Sequence, residues 1–493
     1  MYIIYTSIAS LSPASACVVF IGLFVAWYTT SAVTAWYRLR HIPGPFLASF
    51  SYSWMIRSIL FNGIQRDFAG LRKYGGIVRT GPNSVMTSDP EVLRRIASAR
   101  TKYTKNEWYA AARFTPDDDT MVTLLDNKSH DTLKAKVAGG YNGRENTDLE
   151  AAVDSQVVHL IEVIRHKHLT TASKTQKVDF AYLARFFTLD VITRLSFGKP
   201  FGFLDAEDLY GYPSQVDRLF KAQNLCQEIP FLRNIMFSRF FFGLFGPKPT
   251  DESGVGKVMG ITQRLIRDRF QDKKPTDDMM GSFIRHGMTE KECKNEALLV
   301  IAIRATLMYI MTTPRVYLKL KDLIKHCVDS GEVSSPVTYA QAQKLPYLQA
   351  VILEGLRMRF PTTYGHYKQV PPEGDTINGI FLPGGTAIGH NSIALSRTES
   401  IFGEDVDVFR PERFLECDDK KKVERERAID TAFGQGRWMC AGKPVAFMEL
   451  NKVFFELLRA FDFQLIYPQK AWDERTYFIP FHKNMWVRIT EAA

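Results

Sequence analysis

Disulfide patterning, repeats and linkers are all missing from this chain. Its six cysteines (Cys17, Cys226, Cys293, Cys327, Cys417 and Cys440) contain no Cys-x-x-Cys pair. That excludes a disulfide-stapled scaffold and fits a reducing compartment. After Phe46 no low-complexity stretch, repeat or second composition regime appears, so the chain reads as one large domain. Charge of one sign is also scarce. Lys and Arg number 63 against 53 Asp and Glu, a surplus of +10 over 493 residues. So small an excess does not by itself indicate nucleic acid; it suits a solvated surface or a docking face for an acidic partner. Hydrophobic residues at 45% and charged residues at 24% exclude a disordered protein.

Charge is absent altogether from Ala14 to Tyr37, ASACVVFIGLFVAWYTTSAVTAWY. At about 1.5 Å per residue such a helix crosses a bilayer core of about 30 Å. Trp27, Trp36 and Tyr37 suit the interfacial level, and Arg38, Arg40 and His41 follow. Positive charge on that flank would leave the C-terminal bulk in the cytosol. A cleaved signal peptide is the competing reading, but MYIIYTSIAS carries no positive charge and the apolar run is long for one. Residues 1–40 are therefore read as a single-pass membrane anchor and 41–493 as one large domain. Pro43, Gly44 and Pro45 make a stiff elbow between them.

Gly75 to Asp89 predicts a hairpin. Pro314 to Cys327 and Tyr347 to Arg359 predict amphipathic helices, and strand signals return at Asp375 to Ile388 and Met485 to Ile489. The fold class is mainly α with small β-sheets.

One cysteine has an unusual setting. Cys440 lies in TAFGQGRWMCAGKPVAF, after a glycine-rich loop and before a long helix. Gly434 and Gly436 permit tight backbone geometry near the sulfur, and Gly442 lets the helix pack closely. A thiolate at a helix N-terminus is stabilised by the dipole and by free N–H groups. The bland alternative is a buried free cysteine.

FGQGRWMCAG resembles the heme-binding loop of the cytochrome P450 superfamily, Phe-Gly-x-Gly-x-Arg-x-Cys-x-Gly. Phe433, Gly434, Gly436, Cys440 and Gly442 match in register, while Trp438 holds the arginine position and Arg437 precedes it. EGLR at Glu354 to Arg357 resembles the family's Glu-x-x-Arg signature, and FRPERF supplies Arg413, the third member of its ion-pair cluster. In SHDTLKAK, His130 and Lys134 stand one helical turn apart, where the family clamps a heme propionate; an exposed helix face is the alternative. The closest flavour is the fungal, microsomal-type, pisatin-demethylase-like group of secondary metabolism.

The resemblance implies a heme b cofactor with Cys440 as iron ligand, and heme contacts from His130, Lys134, Phe433, Arg437, Trp438 and Gly442. It implies an endoplasmic reticulum membrane location and a hydrophobic small-molecule substrate. Electrons would come from NADPH through a separate cytochrome P450 reductase, because no flavin or nicotinamide domain is present. Thr362, Thr363, Tyr364, Phe478 and Phe481 would line the substrate pocket. Glu228 to Pro247, with six phenylalanines, lies either against the membrane or inside a helix pair.

One family feature is missing. The central helix normally carries an Ala/Gly-Gly-x-Asp/Glu-Thr-Thr/Ser motif for proton delivery. Here Thr289 and Glu292 form a capping box and Pro314 marks the end, but ALLV at Ala297 to Val300 runs straight into IAIRAT. Either the segment was lost, by mutation or in a gene model, or a nearby residue substitutes. Thr306, the hydroxyl near the gap, reads as an ordinary helical threonine, so no proton-delivery residue is assigned. A monooxygenase is expected, with a heme protein impaired in oxygen activation (isomerase, dehydratase or pseudoenzyme) as the alternative.

Overall fold

In the computed structural model, which describes residues 12–141, 143, 145–146, 148–272, 276–296 and 303–492, the uncharged stretch forms helix α1 (Pro13–Leu39). Ser12 caps it by accepting from Ser15 N at 3.2 Å. Within it Cys17–Leu39 has a mean hydropathy of 1.7, with its most apolar 18-residue stretch unburied, and is long and apolar enough to cross a membrane. Residues 1–11, which include the uncharged lead-in, lie outside the described residues.

The end of α1 is tied to the domain. Buried Arg79 donates to the carbonyls of Ala35 (2.9 Å), Trp36 (3.3 Å) and Ser49 (2.8 Å). A cation there satisfies last-turn carbonyls and complements the helix dipole. Gly44 of the elbow lies so close to Arg79 that an added Cβ would overlap its carbonyl. Glycine is needed there for a close backbone approach.

The predicted hairpin forms β1 (Ile77–Gly81) and β2 (Ser84–Thr87). With β3 (Thr104–Lys105), β5 (Tyr364–Gln369) and β8 (Ala387–Asn391) they make a five-stranded sheet in the order β1-β2-β8-β5-β3. Only the β2–β8 pair is parallel. A second sheet joins β4 (Val178–Asp179), β12 (Trp486–Glu491) and β9 (Phe461–Leu465). Two ribbons remain: β6–β7 (Asp375–Ile377, Ile380–Leu382) and β10–β11 (Asp473–Thr476, Pro480–Lys483).

Helices make up the rest of the core. The helices that position the site are α2 (Ser53–Leu60), α3 (Asn127–Tyr141), α4 (Leu149–Val163) and α5 (Tyr212–Glu228). Further along come α6 (Glu290–Glu296), α7 (Ile303–Thr312), α8 (Pro314–Asp329), α9 (Pro346–Met358) and α10 (Lys443–Ala460). The apolar spine of α10, including Val453, Phe454 and Leu457, is buried against α4, α8 and α9. The capping box of α6 forms as expected, with Thr289 N to Glu292 Oε2 at 2.7 Å and Glu292 N to Thr289 Oγ1 at 3.2 Å. Pro314 falls where expected: α7 ends at Thr312, and Pro314 opens α8 at the first helical position, where a missing N–H costs nothing. The Ala297–Ile301 junction lies outside the described residues.

Candidate heme-thiolate site

The site begins with a fully buried charge cluster. The i,i+3 spacing on α9 lets Arg357 grip Glu354 with two bonds, Nε to Oε2 at 2.7 Å and Nη2 to Oε1 at 2.8 Å. Arg413 adds Nε bonds to both carboxylate oxygens, at 3.0 and 3.1 Å. All three side chains are 0% exposed. Spare donors are used too: Arg357 reaches the Ser396 and Val406 carbonyls at 2.8 and 2.7 Å, and Arg413 reaches Asp405 at 2.8 Å. Buried charges persist only when paired and bonded to this extent. From Arg413 the path to the cysteine is short, because buried Arg425 donates to the Arg413 carbonyl from the helix that leads into the loop.

Three constraints set the loop conformation. Gly434 and Gly436 have φ of 72° and 52°. A Cβ on Gly434 would lie 2.5 Å from the Trp438 carbonyl, and one on Gly436 would overlap that of Ala97. The turn then closes by Cys440 N donating to Phe433 O at 2.7 Å. Phe433 packs on Phe447 of α10, ring centroids 5.5 Å apart. A Cβ on Gly442 would meet the sulfur at 3.8 Å and Tyr141 at 3.7 Å, ordinary contacts, so the protein's own atoms do not demand glycine there.

Cys440 is exposed by area, yet its sulfur lies in a recess where desolvation raises the thiol pKa. Opposing that, the backbone N–H groups of Gly442 and Lys443 point at the sulfur, and Lys134 adds positive potential. Cys440 is thus the one cysteine among the described residues at the N-terminus of a long helix with amides directed at it. Cys226, Cys293 and Cys327 are buried in apolar packing.

Two cations hold the loop from the α3 side and from within. Lys134 Nζ donates to the carbonyls of Arg437 (2.7 Å) and Met439 (2.9 Å), gripping the loop backbone. Arg437 pairs with Asp131 at 3.3 Å and donates to Ala99 O at 2.6 Å. His130 is 3% exposed, not on an open helix face. Burial above all, with the charges of Lys105 and Lys134, pushes its pKa down to about 4, so it is neutral at pH 7.

Two further lysines, Lys105 and Lys368, are buried nearby and stand directly opposite each other across β3 and β5. Lys105 Nζ donates to Met121 O and Val122 O at 2.6 and 2.8 Å. Lys368 Nζ donates to the Tyr109 hydroxyl at 3.0 Å and sits 4.3 Å from the Trp438 ring centroid. Burial, then repulsion from Lys105, holds the Lys368 pKa well below the usual lysine range. Like charges facing across strands are destabilising, and Trp438 Nε1 is buried with no hydrogen-bond partner among the described residues. Two buried amines beside an unused donor fit an anionic ligand, which would favour their charged forms, and the two carboxylates of heme b have that chemistry.

The expected pocket residues partly converge. Phe478 and Phe481 stack around Phe220 of α5, with centroids at 5.1 and 4.5 Å, and Trp108 meets Phe478 edge-on at 5.4 Å. Thr363 N donates to Phe478 O at 2.8 Å. Tyr364 instead turns its hydroxyl to Asn224 (Nδ2 to Oη, 2.9 Å) and Glu228. Thr362 reaches the Ala432 carbonyl at 3.5 Å. In the phenylalanine-rich segment, Phe231, Phe240 and Phe245 are more than 70% exposed, so it is a surface and not an internal helix pair. Thr306 is buried against Gly355 of α9.

Sequence reading missed Lys105, Lys368, Trp108 and Glu228. The available signal was a lone lysine in each of two aromatic, β-forming stretches, TKNEWY and YGHYKQ.

A largely helical fold, a glycine-bent loop that delivers one cysteine to a helix N-terminus, and buried cations beside it define the heme-thiolate class of oxidoreductase. A family model for cytochrome P450 matches residues 62–478, and the chain belongs to that family. It is 45% identical over 472 residues to cytochrome P450 monooxygenase aba1 of Botryotinia fuckeliana, covering 92% of each chain. Against cytochrome P450 monooxygenase ABA1 of Pyricularia oryzae the identity is 42%, over 96% of each. Against abl1 of Leptosphaeria maculans it is 39%, over 96% of this chain and 87% of that one. With such relatives the chain is an oxidoreductase of the monooxygenase type.

Proposed function

We propose that the protein is a membrane-anchored heme-thiolate monooxygenase that oxidises a hydrophobic small molecule in a fungal secondary-metabolite pathway, with Cys440 as the iron ligand. The observation that carries this reading is the Cys440 sulfur, held at the start of α10 with two backbone N–H groups directed at it. When bound, heme held through the Cys440 thiolate would supply dioxygen activation for C–H oxidation. Electrons come from NADPH through a separate reductase, and the anchor places the enzyme on the endoplasmic reticulum membrane.

The chain's own residues have distinct tasks. The amides of Gly442 and Lys443 temper the charge of the ligating sulfur. Lys134 rigidifies the loop from the α3 side. Lys105, Lys368 and Trp438 Nε1 hold the carboxylates, with neutral His130 beside them. Phe220, Phe478, Phe481 and Trp108 exclude water from the substrate chamber and shape it for an apolar molecule. Exposed Phe231, Phe240 and Phe245 face the lipid near its entrance.

A reduced, CO-bound absorption spectrum tests the ligand assignment. Wild-type protein gives the thiolate-type Soret band, and Cys440→Ala abolishes it; an unchanged band in the variant overturns the assignment. NADPH-dependent oxygen consumption with a reductase tests the activity, and a thiolate band without oxygen uptake overturns the monooxygenase reading.

A further inference from the structure

Two aromatic walls of the substrate chamber ride on a ribbon that has little support of its own. The β10–β11 hairpin is an isolated two-stranded unit, an architecture marginal in water. Its tight turn, closed by Tyr477 N donating to Ile479 O at 3.2 Å, brings Phe478 and Phe481 onto Phe220. Something outside the ribbon must set its place.

Asn62, two residues beyond α2, supplies one such hold. Its backbone is left-handed, φ 54°, a conformation asparagine tolerates better than most residues. That turn brings its carboxamide to the edge of β10, where both ends are used. Nδ2 donates to Glu474 O at 2.9 Å, and Thr476 N donates to Oδ1 at 3.0 Å. The amide thus pairs with β10 as a neighbouring strand would. On the side-chain level Glu474 ties the same strand to the end of α9, accepting from Arg359 Nε at 3.0 Å, with His482 of β11 at 3.2 Å. Asn62 also lines a groove of about 540 Å³ with Leu60, Phe61 and Tyr477.

We infer that Asn62 is a positioning residue for substrate selection: its carboxamide fixes the β10–β11 hairpin and so sets where Phe478 and Phe481 stand in the chamber. This rests on the chamber assignment proposed above. Asn62 touches no substrate; it acts through the strand it holds, and it couples the C-terminal end of α2 to the pocket wall.

Asn62→Gly keeps the left-handed backbone without strain and deletes the carboxamide. Asn62→Asp keeps the acceptor for Thr476 N and loses the donor. Spectral titrations of the full chain with imidazole and with ketoconazole compare a probe too small to reach the hairpin with one that must. Losing two hydrogen bonds at one edge weakens ketoconazole binding by about tenfold in Asn62→Gly and by less in Asn62→Asp. Imidazole binding and the CO-bound band stay as in wild type. Hydrogen exchange at residues 473–483 accelerates in parallel. Should Asn62→Gly not fold, Asn62→Asp alone reads the same ratio.

Unchanged exchange in that segment overturns the inference, and so does faster exchange with an unchanged ketoconazole-to-imidazole ratio. Failure of the heme reading looks different: wild type then lacks the thiolate band, while the exchange arm still reports whether Asn62 holds the ribbon.

Discussion

Lys368 and Lys105 face each other as cross-strand neighbours in the five-stranded sheet, both buried. Two ammonium groups placed so are costly in the protein alone and favourable once an anion lies between them. Lys368→Met, close in size and uncharged, is therefore expected to act in opposite directions. The heme-free protein gains about 1–4 kcal/mol against urea, as when buried charges give way to apolar side chains. The heme-loaded protein loses heme to apomyoglobin about tenfold faster or more, the equivalent of about 1.4 kcal/mol. An unchanged transfer rate would remove Lys368 from the carboxylate site.

Glu354 answers for two buried guanidiniums at once. Glu354→Ala leaves Arg357 and Arg413 as unpaired interior charges, a cost of about 3–5 kcal/mol. That is a large part of the stability of an ordinary domain, so soluble yield and the urea midpoint are expected to fall sharply. Because Arg413 leads through Arg425 into the cysteine loop, residual folded protein should also show a weakened thiolate band. A variant with wild-type midpoint would show that the cluster contributes little.

These two clusters differ in how far they could be read in advance. Glu354 and Arg357 declare themselves by i,i+3 spacing on one helix, and the glycines before Cys440 by φ values that other residues avoid. Such signals are local, and local backbone physics writes them into consecutive residues. Lys105 and Lys368 are 263 positions apart, and only the β3–β5 register makes them neighbours. Each alone reads as a surface lysine. Lys134 was singled out only as a helical-turn partner of His130, and nothing in its helix could reveal that its partners are the carbonyls of Arg437 and Met439. For the same reason Asn62 and Glu474, joined only through tertiary contact, left no trace in the sequence pattern.

Three histidines are held neutral by burial, which fixes the sign of a pH effect. Desolvation, with nearby positive charge, lowers His130 to about 4, and His366 and His390 to about 3 each. Unfolded, each titrates near 6.5. Between pH 6.5 and about 4 the unfolded chain therefore binds more protons than the folded one, and stability falls as pH falls. The contribution is fully present above 6.5 and fully lost only below the folded values. The urea midpoint is expected to drop steadily from pH 7 to 4.5, and His390→Gln to flatten the slope by about one proton. A midpoint independent of pH across that window would refute the buried-neutral assignment.

Thr306 and Gly355 interlock where α7 crosses α9. An added Cβ on Gly355 would overlap the Thr306 side chain, and both residues are buried. Gly355→Ala is expected to destabilise by about 1–3 kcal/mol through overpacking. Thr306→Ala, which vacates the overlapped volume, should recover much of that loss in the double variant, giving a coupling energy of about 0.5–3 kcal/mol. Because the Thr306 side chain is packed against α9, Thr306→Ala is expected to leave the ratio of product to peroxide unchanged once turnover is measured. If peroxide release rose in that variant with its stability intact, Thr306 would have to be reassigned to proton delivery, and the crossing of α7 over α9 would have to open during the reaction.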